Sequence, residues 1–222
     1  TDAVWLQGLG LGVAVSSADE RSSPAGTLLA SYKTGGQNTF FTYRTGATAS
    51  FSEGERFRWS PQAYYFYGPF GLLGEYVQVN QDVQRINGAI TRTDSLNHDA
   101  WQLAASWLLT GEDNSYKGIK VKRPLKIGDS GWGALELVVR YNELDVDEDT
   151  FTGGTDSFAN ITTSAQQAHA WALGANWYLN NSVKIAVNYE DTSFEGGGGG
   201  TATTPLDRDT EQVLLTRVQI AF

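Results

Sequence analysis

Cysteine and methionine are absent from this 222-residue chain, histidine occurs twice and proline five times. With no Cys there is no disulfide framework and no thiolate chemistry, which leaves the redox compartment open. No long apolar run is present and the mean hydropathy is −0.32, which excludes a membrane protein built from helices. The formal charge of −9 argues against nucleic acid as a partner. His98 and His169 have no metal-like spacing around them, and no serine stands in a recognisable nucleophile motif. No catalytic residue, metal or cofactor is therefore assigned, and an enzyme is not expected. The Gly196–Gly200 run is not followed by Lys and Ser/Thr, so it reads as a flexible outer loop and not as a phosphate cradle. The chain starts at Thr1 without a signal peptide, which reads as a processed or truncated product.

What is abundant is glycine (25 residues) and aromatic side chains (7 Trp, 10 Tyr and 10 Phe), set in segments that alternate with a period of two. At the C-terminus Leu214, Thr216, Val218, Ile220 and Phe222 share one face, and Glu211, Val213, Arg217 and Gln219 the other. Val183, Ile185, Val187 and Tyr189 oppose Lys184, Ala186 and Asn188; Trp171, Leu173, Ala175 and Trp177 oppose Ala172, Gly174 and Asn176. Asn180-Asn181-Ser182 joins these two as a hairpin. The same alternation marks 134–142, 100–109, 56–67, 70–79 and about 4–16. Each segment is long enough to cross a bilayer when tilted, which makes about eight strands. The fold class is all-β: a transmembrane antiparallel up-and-down β-barrel, a single domain over 1–222. A strand that stays amphipathic up to a terminal aromatic resembles the closing strand of an outer-membrane barrel, and bacterial outer membrane is the expected location.

Loop lengths set an orientation. The turns at Gly68-Pro69 and Asn180–Ser182 fall on the side where Phe222 ends, while the long connections at about 18–54, 82–96, 145–164 and 195–209 fall on the other. Short periplasmic turns with long outer loops are the outer-membrane asymmetry. The connection at about 110–131 breaks the rule, being long yet periplasmic by register. Trp5, Tyr67, Phe70, Trp107, Trp132, Trp177 and Phe222 lie near the periplasmic strand ends, as an interfacial girdle requires. Two other readings stand beside this one. A small closed barrel of about eight strands has room only for side chains and would serve as an adhesin or structural protein without a pore. A soluble lectin-like sandwich is the third.

The run Phe57–Tyr76, FRWSPQAYYFYGPFGLLGEY, with Gln37–Thr42, Trp5–Ser16, Trp132–Asp145 and the closing strands, resembles the phosphate-selective porin O and P family over nearly the whole chain. The resemblance implies the C-terminal half of a sixteen-stranded barrel that assembles as a homotrimer, with small anions, phosphate among them, as permeating solutes. It also implies a water-filled passive diffusion channel with basic loop residues folded into the pore. On the strand registers Arg56, Arg58, Arg140, Lys184 and Arg217 face inward as the candidate anion path, against Glu75, Glu136, Glu190 and Glu211. Attraction of anions and cross-strand Arg–Glu pairing are both open readings of that set. Lys33 and Arg44 in the first long loop are the candidate constriction residues if that loop dips into the lumen, and a solvated outer loop is the other reading. Lys117, Lys120, Lys122, Arg123 and Lys126 form the densest basic patch, at the periplasmic mouth. Outer-membrane lipid and lipopolysaccharide are the expected surroundings, with Asp145, Asp147, Glu148 and Asp149 facing the latter through divalent cations.

Overall fold

The computed structural model describes residues 6–221, so the expectations placed on Trp5 and Phe222 lie outside the described residues. Eight long strands follow one another as an antiparallel meander: β1 (Leu9–Arg21), β4 (Ser50–Tyr67), β5 (Phe70–Asn87), β6 (Ile90–Leu108), β7 (Ala134–Asp145), β8 (Ala165–Tyr178), β9 (Val183–Gly200) and β11 (Glu211–Ile220). Short strands β2 (Tyr32–Lys33) and β3 (Thr39–Phe41) form a hairpin between β1 and β4, and β10 (Pro205–Asp207) pairs with the far end of β9. The sheet is not closed: among the described residues β1 pairs only with β4, and β11 only with β9.

The register separates two faces. On the outer face, the alternation of the registers places Leu11, Ala63, Gly74, Leu103, Val139, Leu173, Val187 and Val218 in an uncharged band across the strands, and Leu11, Leu173 and Val218 are 77%, 62% and 67% exposed. Toward the long-loop end, from β5 onward, the outward positions become polar: Gln78, Asp99, Glu143, His169, Asp191 and Gln212. A charge at bilayer mid-depth costs about 2–4 kcal/mol for Arg or Lys, so an uncharged band with a sharp polar border is what lipid selects.

Aromatic rings line both borders of the band. At the short-turn end Phe70 stacks on Trp107 at 5.9 Å, and the Trp177 indole donates to the Trp132 carbonyl at 2.7 Å. At the long-loop end Trp59–Tyr76, Trp101–Tyr141 and Tyr141–Trp171 lie 5.6, 5.1 and 4.7 Å apart. This second girdle escapes a strand-by-strand reading because its members come from different heights in each strand and line up only once the stagger is known.

Three connections differ from expectation. The 82–96 stretch is no loop: β5 and β6 pair continuously to Asn87 and Ile90 around a two-residue turn. Its outward face is polar because it has left the lipid band, while its inner face carries Val83 and Leu96, both fully buried. The glycine run is not a flexible loop either. Gly197 and Gly199 donate their N–H groups to the Ile161 and Thr162 carbonyls, with φ of +78° and +102° that other residues rarely adopt. The first connection is shortened to 22–49 by longer flanking strands.

Candidate functional site

The inner face is covered at its two ends by two inserted segments. The first, 22–49, runs from β1 across the face and seats the β2–β3 hairpin against β9 and β11. The Gly35 N–H donates to Glu190 Oε1 at 3.2 Å, and Thr34 Oγ1 donates to Glu211 Oε1 at 2.7 Å. A Cβ on Gly35 or Gly36 would lie 2.3 Å from those same carboxylate oxygens, so the glutamates reach the tip in this position because both residues lack one. Behind the tip Phe40, Phe41 and Tyr43 are buried with Val83, Leu96, Val146, Phe158 and Phe194. Phe41 is central, its ring 5.3 Å from Tyr32, 5.0 Å from Tyr43 and 6.2 Å from Phe151.

His98 closes this cluster, on the β6 extension beyond the lipid band. Its Nδ1 accepts the Asp147 N–H at 3.0 Å, which leaves the ring proton on Nε2 to meet the Tyr43 hydroxyl at 2.5 Å. Burial holds its pKa down to about 4, against the partial opposition of Asp147, and pushes Tyr32 up to about 12 and Tyr43 well above its ordinary value. The imidazole is therefore a neutral structural pin.

The second segment, 109–133, folds under the other end of the face. Val121 is buried with Leu108 and Ala134, and the Asn114 and Leu125 N–H groups donate to the Gly68 and Leu179 carbonyls, both at 2.7 Å. Tyr116 stacks on inward-facing Tyr64 at 4.6 Å with 7° between planes. Gly10 makes that possible, since a Cβ there would stand 2.1 Å from the Tyr64 ring. Gly10 of β1 thus seats an aromatic side chain. Lys117, Lys120 and Lys122 from this segment join Lys184 of β9 around a hollow of about 900 Å³ whose lining includes, among the described residues, a single carboxylate, Asp113.

By register the five expected pore cations all lie on the inner face, but they are not equivalent. Arg56 is paired with Glu20 at 2.7 Å and also donates to Gln81 and to the Leu28 carbonyl. Arg140 is paired with Glu190 at 2.6 Å. Lys184 rests over the Tyr178 ring at 5.3 Å. Arg58 and Arg217 are exposed and carry no ion pair among the described residues. Lys33 lines a cleft beneath the hairpin. Arg44, expected beside it at a constriction, instead holds the 146–164 segment: Nε donates to the Ser157 carbonyl and Nη2 to Ser157 Oγ, each at 2.9 Å. Sequence reasoning missed the role of the glutamates. Glu136 takes the Asn176 amide and the Tyr178 hydroxyl, both at 2.9 Å, while Glu190 and Glu211 anchor the hairpin tip.

The family model of phosphate-selective porin O and P matches residues 9–222. Porin O of Pseudomonas aeruginosa is 27% identical over 166 residues, 74% of this chain and 35% of that protein, so the match spans about a third of the relative's length. A wall with an uncharged band on one face bordered by aromatics, charged side chains on the opposite face and a sequence that matches the family model from the first described strand onward lead to one assignment: the chain belongs to the phosphate-selective porin O and P family of outer-membrane β-barrel proteins.

Proposed function

We propose that this wall lines a water-filled passive diffusion channel for small hydrophilic solutes, with a preference for anions and phosphate among them. The observation that carries the reading is the division of the sheet into an outer face with an uncharged band and an inner face where charged side chains and two inserted segments meet. The free cations Arg58 and Arg217 on the wall and the Lys117, Lys120, Lys122 and Lys184 hollow at the short-turn mouth supply a positive path. Arg56 and Arg140 contribute little to it, since a paired cation is compensated by its own carboxylate. The long-loop end faces the exterior and the short-turn end the periplasm. The free edges of β1 and β11 pair with further strands, because an unpaired backbone group in lipid costs several kcal/mol, and the closed barrel assembles as a trimer. The family resemblance supports the trimer, which chemical cross-linking in detergent will report.

The test is current across a planar bilayer holding the full-length native protein, first in KCl and then with phosphate titrated in. A steady conductance with an anion-biased reversal potential and block by phosphate is expected. A folded, heat-modifiable barrel that carries no current would overturn the channel reading.

A further inference from the structure

We infer that the cleft between the inserted hairpin and the β5–β9 wall is a binding subsite for small zwitterions, solutes bearing an anionic head group and an ammonium a few bonds away. The inference rests on the channel reading above and names the solute class that this part of the channel takes. The cleft measures about 270 Å³, below the range of drug-sized pockets and suited to a short solute.

Four charged side chains of the inner face and the hairpin line it: Lys33, Glu75, Arg140 and Glu190. Two of them compensate each other, since Arg140 Nη2 meets Glu190 Oε2 at 2.6 Å and the other Glu190 oxygen takes the Gly35 N–H. That leaves one charge of each sign. Glu75 is fixed by neutral donors only, Ser60 Oγ at 3.0 Å and Gln102 Nε2 at 2.8 Å, so its position is set and its negative charge is not cancelled. Lys33, on the hairpin, is exposed and has no hydrogen-bond or ion-pair partner among the described residues. Glu143 also borders the cleft, but its carboxylate accepts the Tyr141 hydroxyl at 2.6 Å and its register places it on the outer face.

A simple anion drawn to Lys33 meets the field of Glu75, and a simple cation at Glu75 meets that of Lys33. Only a solute carrying both charges satisfies both ends. Phe40, Val77, Ala100 and Ala170 also line the cleft and offer apolar surface to the intervening methylenes.

The experiment compares block of the KCl current of the full-length protein by 2-aminoethyl phosphate and by propyl phosphate, which differ by an ammonium in place of a methyl group. The amino compound is expected to block at a concentration about two- to five-fold lower, the range that one partly exposed ion pair supports. Glu75→Gln keeps the shape and removes the difference. Lys33→Gln, on the exposed hairpin, weakens both blockers by a similar factor and preserves their ratio. Equal block in the unmodified protein, a ratio that survives Glu75→Gln, or no effect of Lys33→Gln would overturn the subsite. Should Glu75→Gln fail to fold, the unmodified ratio and the Lys33 variant decide. Absence of any KCl current would count against the channel reading alone; titration calorimetry of the same two phosphates with the detergent-solubilised protein then decides the subsite.

Discussion

The two segments that enter the inner face do so by different physics. Segment 22–49 is anchored by a buried aromatic cluster and by glutamates on β9 and β11. Segment 109–133 is held by backbone hydrogen bonds, a small apolar contact around Val121 and one tyrosine stack, with its lysines left around an open hollow. The first is built as packed protein interior and fixes a shape. The second is built as a polar turn and presents charge. Under the proposed channel function, size exclusion and charge selection would fall to opposite ends of the same wall.

Four measurements sharpen or break that contrast. The largest effect is expected for Phe41→Ala, which empties a fully buried site and should destabilise the folded protein by about 3–5 kcal/mol. Thermal melting in detergent and a rise in open-channel conductance read it together. An unchanged conductance would mean that the first segment does not set the aperture.

Next comes acid. His98 has its pKa lowered by burial to about 4 from 6.5, so the unfolded chain takes up the proton first. Stability should be fully present above about pH 6.5, fall on acidification toward pH 4 and level off below, by a few kcal/mol in total. Tyr32, Tyr43 and Asp147 are the titratable groups facing the ring, and of these only Asp147 favours the protonated form. Unfolding midpoints followed from pH 7.5 to 4 should fall along this slope, and His98→Gln should flatten it.

Glu190→Gln removes the charge that joins Arg140 to the hairpin tip and should cost about 1–3 kcal/mol, with the hairpin's amide exchange accelerated more than that of β5 or β6. The smallest effect is expected at the other segment. Tyr116→Ala loses one stacked pair worth about 0.5–1.5 kcal/mol, and should alter anion selectivity while leaving the melting of the aromatic cluster in place.

Strand faces were legible in the sequence because the period of two survives wherever one side meets lipid. Val183–Tyr189 alternates cleanly, and its register puts Ile185 and Val187 on the outer face and Lys184 on the inner one. The signal faded at 82–96, where Gln84 and Thr93 face water in place of lipid and the alternation of hydrophobicity is lost although the pairing continues. The inward side of Arg56 and Arg140 was readable for the same reason as the strands. Their pairing with Glu20 and Glu190 was not, since those partners lie 36 and 50 residues away in sequence. Arg44 illustrates the same limit: basic residues among aromatics suggest an inserted loop, but nothing local says that Ser157 will take the guanidinium. The burial of His98 under Tyr43 needed two long connections to converge, which no periodicity encodes.

The seat of the hairpin tip also orders the events of folding. Gly35 and Thr34 close on partners 155 and 177 residues further along the chain, so the tip has nothing to dock on until β9 and β11 have been made and paired. Contacts of such long sequence separation form slowly. The hairpin that covers the inner face is therefore expected to settle last, after the strands beneath it have paired.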